Sequence, residues 1–510
     1  MTQPIEFDLA ARMREVVALD PAAEALSFGG RWRTWGYLRD GIDAIDGHLR
    51  NIGIGEHEAV GIIMRNRPEV VTAAIAMLAT RRCVVTLSSV IPAANLAAEV
   101  ERMRLGAVIA SESDWERPGL LDAARGAGSL GLGLTDGLGG VEITVHSEFV
   151  AGEHHEPRPG VAVQMLTSGT TGPPKRVDLP YRSLEQEMIG AIKYSPSAAA
   201  ANPAQLRQGA AICWTPILHI AGLRALMTAV VEGRRIALLE KFDVEQWVSL
   251  VEEHRPKSGG LPPTAMRMVL DAKVAKERLS SLKAVLAGTA PVPPALKDQF
   301  EQTYDIPVLV VYGATEFAGG VAGWTIKDWR AYGDTKRGST GRANDGIELR
   351  IVDPATGAVL APGEQGVLEV AGEQLPVDGW LRTTDLARLD ADGFLFIDGR
   401  VDDVIIRGGF KVFTSAVRDI VMSHPSVRDA AVFGVDDERL GQVPVAAVEL
   451  RPDGPAVSAA ELTAFLKERL SAYQVPVELL VLDELPRTPS MKVSQPALRP
   501  LFGQRTASPA

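Results

Sequence analysis

The chain has 510 residues, more than one hydrophobic core supports, so it should divide into a large unit and at least one smaller one. Hydrophobic residues at 46% and charged residues at 23% suit a globular enzyme, and a net charge of −11 without a basic run excludes a nucleic-acid footprint. No signal peptide opens the chain, no apolar run is long enough to span a bilayer, and Cys83 and Cys213 sit in apolar runs as buried thiols, so a soluble, cytoplasmic protein is expected.

Residues 7–58 carry helical patterning, with a helix from Trp35 toward Leu49. Strands at 59–64, 83–87 and 107–110 then alternate with helices at 68–77 and 92–103, which predicts a mostly parallel sheet flanked by helices. Residues 111–160 lose the periodicity. The Gly126–Gly131 stretch spells Gly-x-Gly-x-x-Gly but follows a helical stretch, and it reads as a flexible loop rather than a dinucleotide fingerprint. His154-His155 beside Glu153 and Glu156 reads as a solvated charge cluster rather than a metal site.

The apolar run 161–166 reads as a buried strand that empties into Thr167-Ser168-Gly169-Thr170-Thr171-Gly172-Pro173-Pro174-Lys175-Arg176. Glycines let backbone N–H groups approach anionic oxygens, hydroxyls donate further bonds, and a lysine adds charge, so the loop suits a phosphate chain. It lacks Walker A spacing. A strand at 210–214 leads to His219-Ile220-Ala221-Gly222. Strand–helix pairs follow at 235–239 with 244–253, and at 284–286 with 294–304. Ala287-Gly288-Thr289-Ala290-Pro291 forms a turn, and strand 308–311 runs into Tyr312-Gly313-Ala314-Thr315-Glu316. From about 338 to 400 the pattern is β-rich and contains Leu381-Arg382-Thr383-Thr384-Asp385. Arg400-Val401-Asp402 precedes a strand at 404–406, Gly408-Gly409, two strand–helix units and the loop Pro486–Lys492.

These motifs, in this order, resemble the adenylate-forming superfamily of acyl- and aryl-CoA ligases, luciferases and peptide-synthetase adenylation domains, and most of all its acyl-CoA ligases. The resemblance implies an α/β protein. Residues 1–400 form a large domain of stacked, mostly parallel sheets that binds AMP and the acyl group, with a β-rich subdomain at about 338–400. Residues 401–510 form a small α+β domain rotating about a hinge at Asp402. It implies nucleotide binding by Thr167 to Gly172 and Lys175, by the adenine-side turn Gly288, Thr289 and Ala290, and by Tyr312, Gly313, Ala314, Asp385 and Arg400. Glu316 would hold Mg²⁺, Thr315 and Lys492 would act at the α-phosphate, and Gly408-Gly409 would border the CoA tunnel. His219, Ile220 and Gly313 would line the acyl pocket, with His219 counted among the catalytic groups. ATP or an acyl-adenylate, CoA, Mg²⁺ and a small carboxylic acid are the implied ligands, and a homodimer is open.

Relatives that activate amino acids place an aspartate near 214–222; none stands here, so a bulky, largely apolar acid is expected. Arg176, Thr384 and Met491 replace family glycines. If those positions need φ > 0, each replacement costs about 1–3 kcal/mol and adenylation is impaired. Two further readings are an enzyme that only forms thioesters from adenylate supplied by an upstream ligase, and an adenylating enzyme that loads a separate carrier protein. Thr414, Ala416 and Arg418 also depart from a family Pro-x-Glu-x-Glu pattern.

Overall fold

A computed structural model describes residues 7–167, 175–190, 202–401, 403–452, 454–488 and 492–502. Ser168, Gly169, Thr170, Thr171, Gly172, Met491 and the hinge candidate Asp402 lie outside the described residues, as does the side chain of Thr167.

Among the described residues four sheets form, and the mixed α/β class read from the alternation holds. The first has seven strands in the order Val141–Ser147, Leu130–Asp136, Ala107–Ser111, Ala59–Met64, Cys83–Ser88, Val161–Thr167 and Lys175–Pro180. Its five central strands are parallel and the two edge strands antiparallel. The second sheet has nine strands. It begins with the parallel strands Ser258–Gly260, Ala284–Ala287 and Val308–Ala314, then turns antiparallel through Gly319–Gly323 into the strands between 341 and 400. The β-rich segment thus continues the second parallel sheet rather than forming one of its own. Helix Pro68–Ala79 is buried at all its residues in the core between the sheets, which explains why it is apolar on every side apart from Glu69 and Thr72. The C-terminal sheet, built from strands between 404 and 482, has one apolar cluster under helices Thr414–Met422 and Ala459–Lys467 and a second against Leu498 and Phe502.

Three expectations fail for identifiable reasons. Residues 7–58 are not helical throughout: Glu24–Phe28 and Arg31–Thr34 form a hairpin that joins Arg207–Cys213 and Arg234–Leu238 in a four-stranded sheet. Its arginines reach across the fold, with Arg31 2.6 Å from Asp136, Arg33 on the same carboxylate, and the Tyr37 hydroxyl donating to it at 3.0 Å. The Gly126–Gly131 stretch is not a flexible loop throughout: Gly126 ends a helix and Gly131 lies in a strand. The glycines of 126–133 lead into strand Leu130–Asp136, where a Cβ on Gly131 or Gly133 would collide with Trp115, Ser147, Glu112 or His146. The strand is glycine-rich because neighbouring side chains cross its face. His154-His155 is not a solvated cluster either. His154 stacks on Phe149 with ring centroids 4.9 Å apart, and its nitrogens lie 3.2 and 2.9 Å from the carbonyls of Arg104 and Val150. Among the described residues, no group of three or more His, Cys, Asp or Glu could hold a metal ion, and no helix is long and apolar enough to cross a membrane. Cys83 and Cys213 are buried free thiols.

Candidate active site

Parallel strands present their carboxyl ends on one side, and ligands of open α/β sheets gather there. Strand Val161–Thr167 ends at the hydroxyl-rich loop, and antiparallel pairing sets Lys175 opposite Thr167, so segment 168–174 starts and finishes at adjacent points. Strand Ala284–Ala287 ends at Gly288, Thr289 and Ala290. A Cβ on Gly288 would stand 3.0 Å from the Val311 carbonyl. Thr289 has φ +66, unusual for a β-branched residue, and its buried hydroxyl has no partner. Strained backbone and an orphaned hydroxyl at a strand end mark a ligand position.

Strand Val308–Ala314 carries Tyr312, Gly313 and Ala314, and a short 3-10 turn follows with Thr315 and Glu316. The Tyr312 hydroxyl donates to Asp385 in a short bond, and burial beside that carboxylate pushes the phenol pKa well up. Asp385 lies on strand Leu381–Leu389 directly opposite Arg400 on Phe394–Arg400, with carboxylate and guanidinium 3.8 Å apart. The Arg400 Nε donates to the Thr384 hydroxyl at 3.1 Å. Tyr312, Asp385 and Arg400 therefore form one wall. Gly313 belongs less to a pocket than to packing, since a Cβ there would lie 2.3 Å from the Gly319 carbonyl.

Lys492 lies within electrostatic reach of Arg400 and Glu316. The loop before it closes through Thr488 N–H to the Lys492 carbonyl at 2.7 Å. The Lys492 side chain is exposed to solvent; crowding by the surrounding protein, and then the Arg400 charge, lower its pKa from the ordinary lysine value, while Glu316 pulls it up. His219 caps helix Ile220–Val231; burial, and then the Lys492 charge, lower its pKa to about 4, so the ring is neutral at pH 7. Its buried Nε2 has no partner. Lys492, Arg400, Glu316 and His219 thus share one electrostatic neighbourhood, though they lie far apart in sequence. Glu316 suits Mg²⁺, which keeps waters and takes phosphate oxygens beside one or two carboxylates.

Two glycine replacements change meaning in three dimensions. Arg176 and Thr384 lie within strands, and neither has a left-handed φ, so the backbone strain expected there is absent. The Arg176 side chain is held in a clamp. Its guanidinium donates to Gln164 O at 3.1 Å, Thr86 O at 3.0 Å and Glu99 at 2.6 Å. Gly408 and Gly409 have φ of +55 and +89 in the two-residue turn between Val404–Arg407 and Phe410–Phe413. Turn geometry alone requires glycine there, and a Cβ on Gly409 would meet nothing within 4 Å.

Several supporting residues gave no signal in the sequence. Asn66 donates to the carbonyls of Trp214 and Leu239 at 3.0 and 3.1 Å and accepts from Ile217 N–H at 3.0 Å, bracing the loop that presents His219. Arg428 and Arg487 tie the C-terminal sheet to helix Pro263–Asp271, through Arg428–Asp271 at 2.8 Å and Arg487 to the Thr264 hydroxyl at 3.3 Å. Arg418 donates to Asp429, whose other oxygen lies 3.0 Å from Arg487, so one departure from the family pattern helps to anchor the Lys492 loop. Nothing in the structure explains Thr414 or Ala416.

The family model for AMP-binding enzymes matches residues 13–376, and that for the AMP-binding enzyme C-terminal domain matches 417–492. The 2-succinylbenzoate–CoA ligase of Bacillus pumilus is 27% identical over 499 residues, covering 94% of this chain and 95% of its own. The 4-coumarate–CoA ligase 3 of Oryza sativa subsp. japonica is 28% identical over 471 residues, covering 88% and 84%. The ATP-bound structure of MatB from Rhodopseudomonas palustris superposes with a TM-score of 0.81 at 23% identity over 97% of this chain and 98% of that one, a likeness of fold. The reaction class is that of an AMP-forming acid–thiol ligase, acting through an acyl-adenylate with ATP, CoA and Mg²⁺. The chain belongs to the AMP-binding enzymes, the adenylate-forming superfamily, and stands there with the acyl-CoA ligases.

Proposed function

We propose that the chain carries out both half-reactions on an amine-free, bulky and largely apolar carboxylic acid, and that it works in the cytoplasm. The observation that carries this reading is the set Tyr312, Asp385 and Arg400, joined by a hydrogen bond and an ion pair, with Arg400 and Glu316 acting electrostatically on Lys492. In the first half-reaction a carboxylate oxygen attacks the α-phosphorus of ATP and the bond to pyrophosphate breaks. Positioning and charge neutralisation supply most of the rate. Lys492 draws the carboxylate and α-phosphate together, Lys175 and the hydroxyls of Thr167, Thr170 and Thr171 hold the departing phosphates, and Thr315 orients the α-phosphate. Asp385 accepts from the ribose hydroxyls, with Arg400 and Tyr312 fixing its geometry. Bound at Glu316, Mg²⁺ would neutralise phosphate charge. In the second half-reaction the CoA sulfur attacks the acyl carbon and AMP leaves. The C-terminal body, taken as 401–510, turns about Asp402 to withdraw Lys492.

The relatives named for 2-succinylbenzoate and 4-coumarate support a bulky acid, and the absence of an acidic residue among 214–222 supports one without an amine. The strain argument for impaired adenylation has no footing at Arg176 or Thr384. The test follows pyrophosphate release from ATP and an acid panel, beside thioester formation from the synthetic adenylates. Asp385→Ala should weaken ATP binding in calorimetry without unfolding the protein. Lys492→Ala should lose pyrophosphate release yet keep thioester formation from adenylate. No turnover of any acid, or unchanged ATP affinity in Asp385→Ala, would overturn the reading.

A further inference from the structure

Helix Pro263–Asp271 carries Thr264, Arg267 and Asp271 at i, i+3 and i+7, on one face. Two of them meet the C-terminal sheet, Thr264 through Arg487 at 3.3 Å and Asp271 through Arg428 at 2.8 Å. Arg267 stands between them in the helix and is 9% exposed. Among the described residues it donates one hydrogen bond, to Gln299 Oε1 at 3.4 Å, and makes no ion pair. The charges that act on it are Arg451, Asp271, Asp429 and Arg428. Both carboxylates are already engaged: Asp271 with Arg428, and Asp429 with Arg418 and Arg487 at 2.9 and 3.0 Å. Burial, and then the Arg451 charge, therefore hold the Arg267 pKa below the ordinary arginine value. A guanidinium desolvated without a carboxylate of its own is unfavourable, and it is so only while something covers it. Arg487 acts in the opposite sense. Its side chain is 14% exposed and bridges Asp429 and Glu449 within the C-terminal sheet. The bridge between Arg487 and Val493 closes the loop that carries Lys492. Its bond to Thr264 thus ties that loop to the large body while Lys492 is in reach of Arg400 and Glu316.

We propose that this face of helix Pro263–Asp271 seats the C-terminal body for adenylation, with Arg487–Thr264 holding the seat and the buried charge of Arg267 working to release it. The proposal rests on the two-step reading above. When the C-terminal body turns to withdraw Lys492, Arg487 gives up Thr264 and Arg267 regains water. One change offsets the other, so the seat holds for the first half-reaction without trapping the protein before the second. The outer pair Arg428–Asp271 is more exposed and adds little to either side. Thr264, Arg267 and Arg487 are positioning residues that act through the loop of Lys492.

The experiment measures two rates on each preparation: pyrophosphate release from ATP and acid, and thioester formation from the synthetic adenylate and CoA. Benzoic, 3-phenylpropenoic and octanoic acid are the probes. Arg267→Met keeps the stem and removes the charge, so the seat should tighten. Thioester formation should fall about fivefold while pyrophosphate release is kept or rises. Thr264→Val removes the hydroxyl that meets Arg487. Pyrophosphate release should fall about tenfold while thioester formation is kept or rises. In the double variant the ratio of the two rates should return toward wild type. A purely structural role would lower both rates together, along with the melting midpoint. A ratio that stays put in either single variant, or moves the same way in both, overturns the proposal. Should Arg267→Met not fold, Arg267→Gln makes the same test of release. Turnover with an unmoved ratio defeats only this inference, whereas no turnover of any probe acid by the wild type defeats the two-step reading.

Discussion

Replacing Arg176 should cost stability, not activity. Its guanidinium and the Glu99 carboxylate have side chains only 14% and 11% exposed, and Arg176 also satisfies two strand carbonyls. Arg176→Met keeps the stem and removes the charge, leaving Glu99 buried without its cation. Breaking a buried pair from one side costs about 3–5 kcal/mol. With an unfolding entropy of about 2.1 cal/mol/K per residue over about 400 cooperating residues, that is a drop of about 4–6 °C in the apparent midpoint. Glu99→Gln should cost less, because the amide remains a hydrogen-bonding partner, and the double variant should lose less than the sum of the singles. Differential scanning fluorimetry of the four proteins gives the cycle. Pyrophosphate release at 25 °C, measured on the same preparations, should stay within about threefold of wild type, since under about 0.7 kcal/mol of barrier change is expected from a clamp made to strand carbonyls and Glu99. A midpoint that does not move would refute the clamp. A rise in adenylation with Arg176→Gly would restore the reading in which this glycine replacement impairs adenylation.

Two further outcomes follow from the electrostatics. His219 is held near pKa 4, below the ordinary histidine value, so between about pH 6.5 and 4 the unfolded chain binds a proton that the native protein refuses. The stability that His219 contributes is therefore complete above about pH 6.5 and is lost as pH falls to about 4, with no further loss below; wild type minus His219→Gln midpoints should trace that window, and a difference independent of pH would refute it. Arg428–Asp271 joins the C-terminal sheet to the large body with both side chains about one-third exposed, a setting worth at most about 1 kcal/mol. Asp271→Asn should change the ratio of the two half-reaction rates by no more than about fivefold; a hundredfold change would mean that the contact does more than an exposed ion pair can.

The sequence by itself carried what depends on local pattern. Parallel strands announced themselves because strands buried on both faces read as apolar runs, as at Ala59–Met64 and Cys83–Ser88. The site motifs were legible because each is a contiguous run at the end of one strand, from Thr167 to Lys175 and from Tyr312 to Glu316. What remained hidden is what requires two distant segments at once. The hairpin at 24–34 is pinned by Asp136, about a hundred positions away, and the strand at 130–136 is glycine-rich because Trp115 and His146 cross its face. Whether Arg176 or Thr384 strains the backbone depends on φ, which a residue type does not specify; pairing within strands decided it. Glu187 and Arg224 face each other across 37 positions on two helices. Only the packing of those helices leaves one carboxylate oxygen without a partner, because burial of a charge is a property of everything around it and not of the residue that bears it.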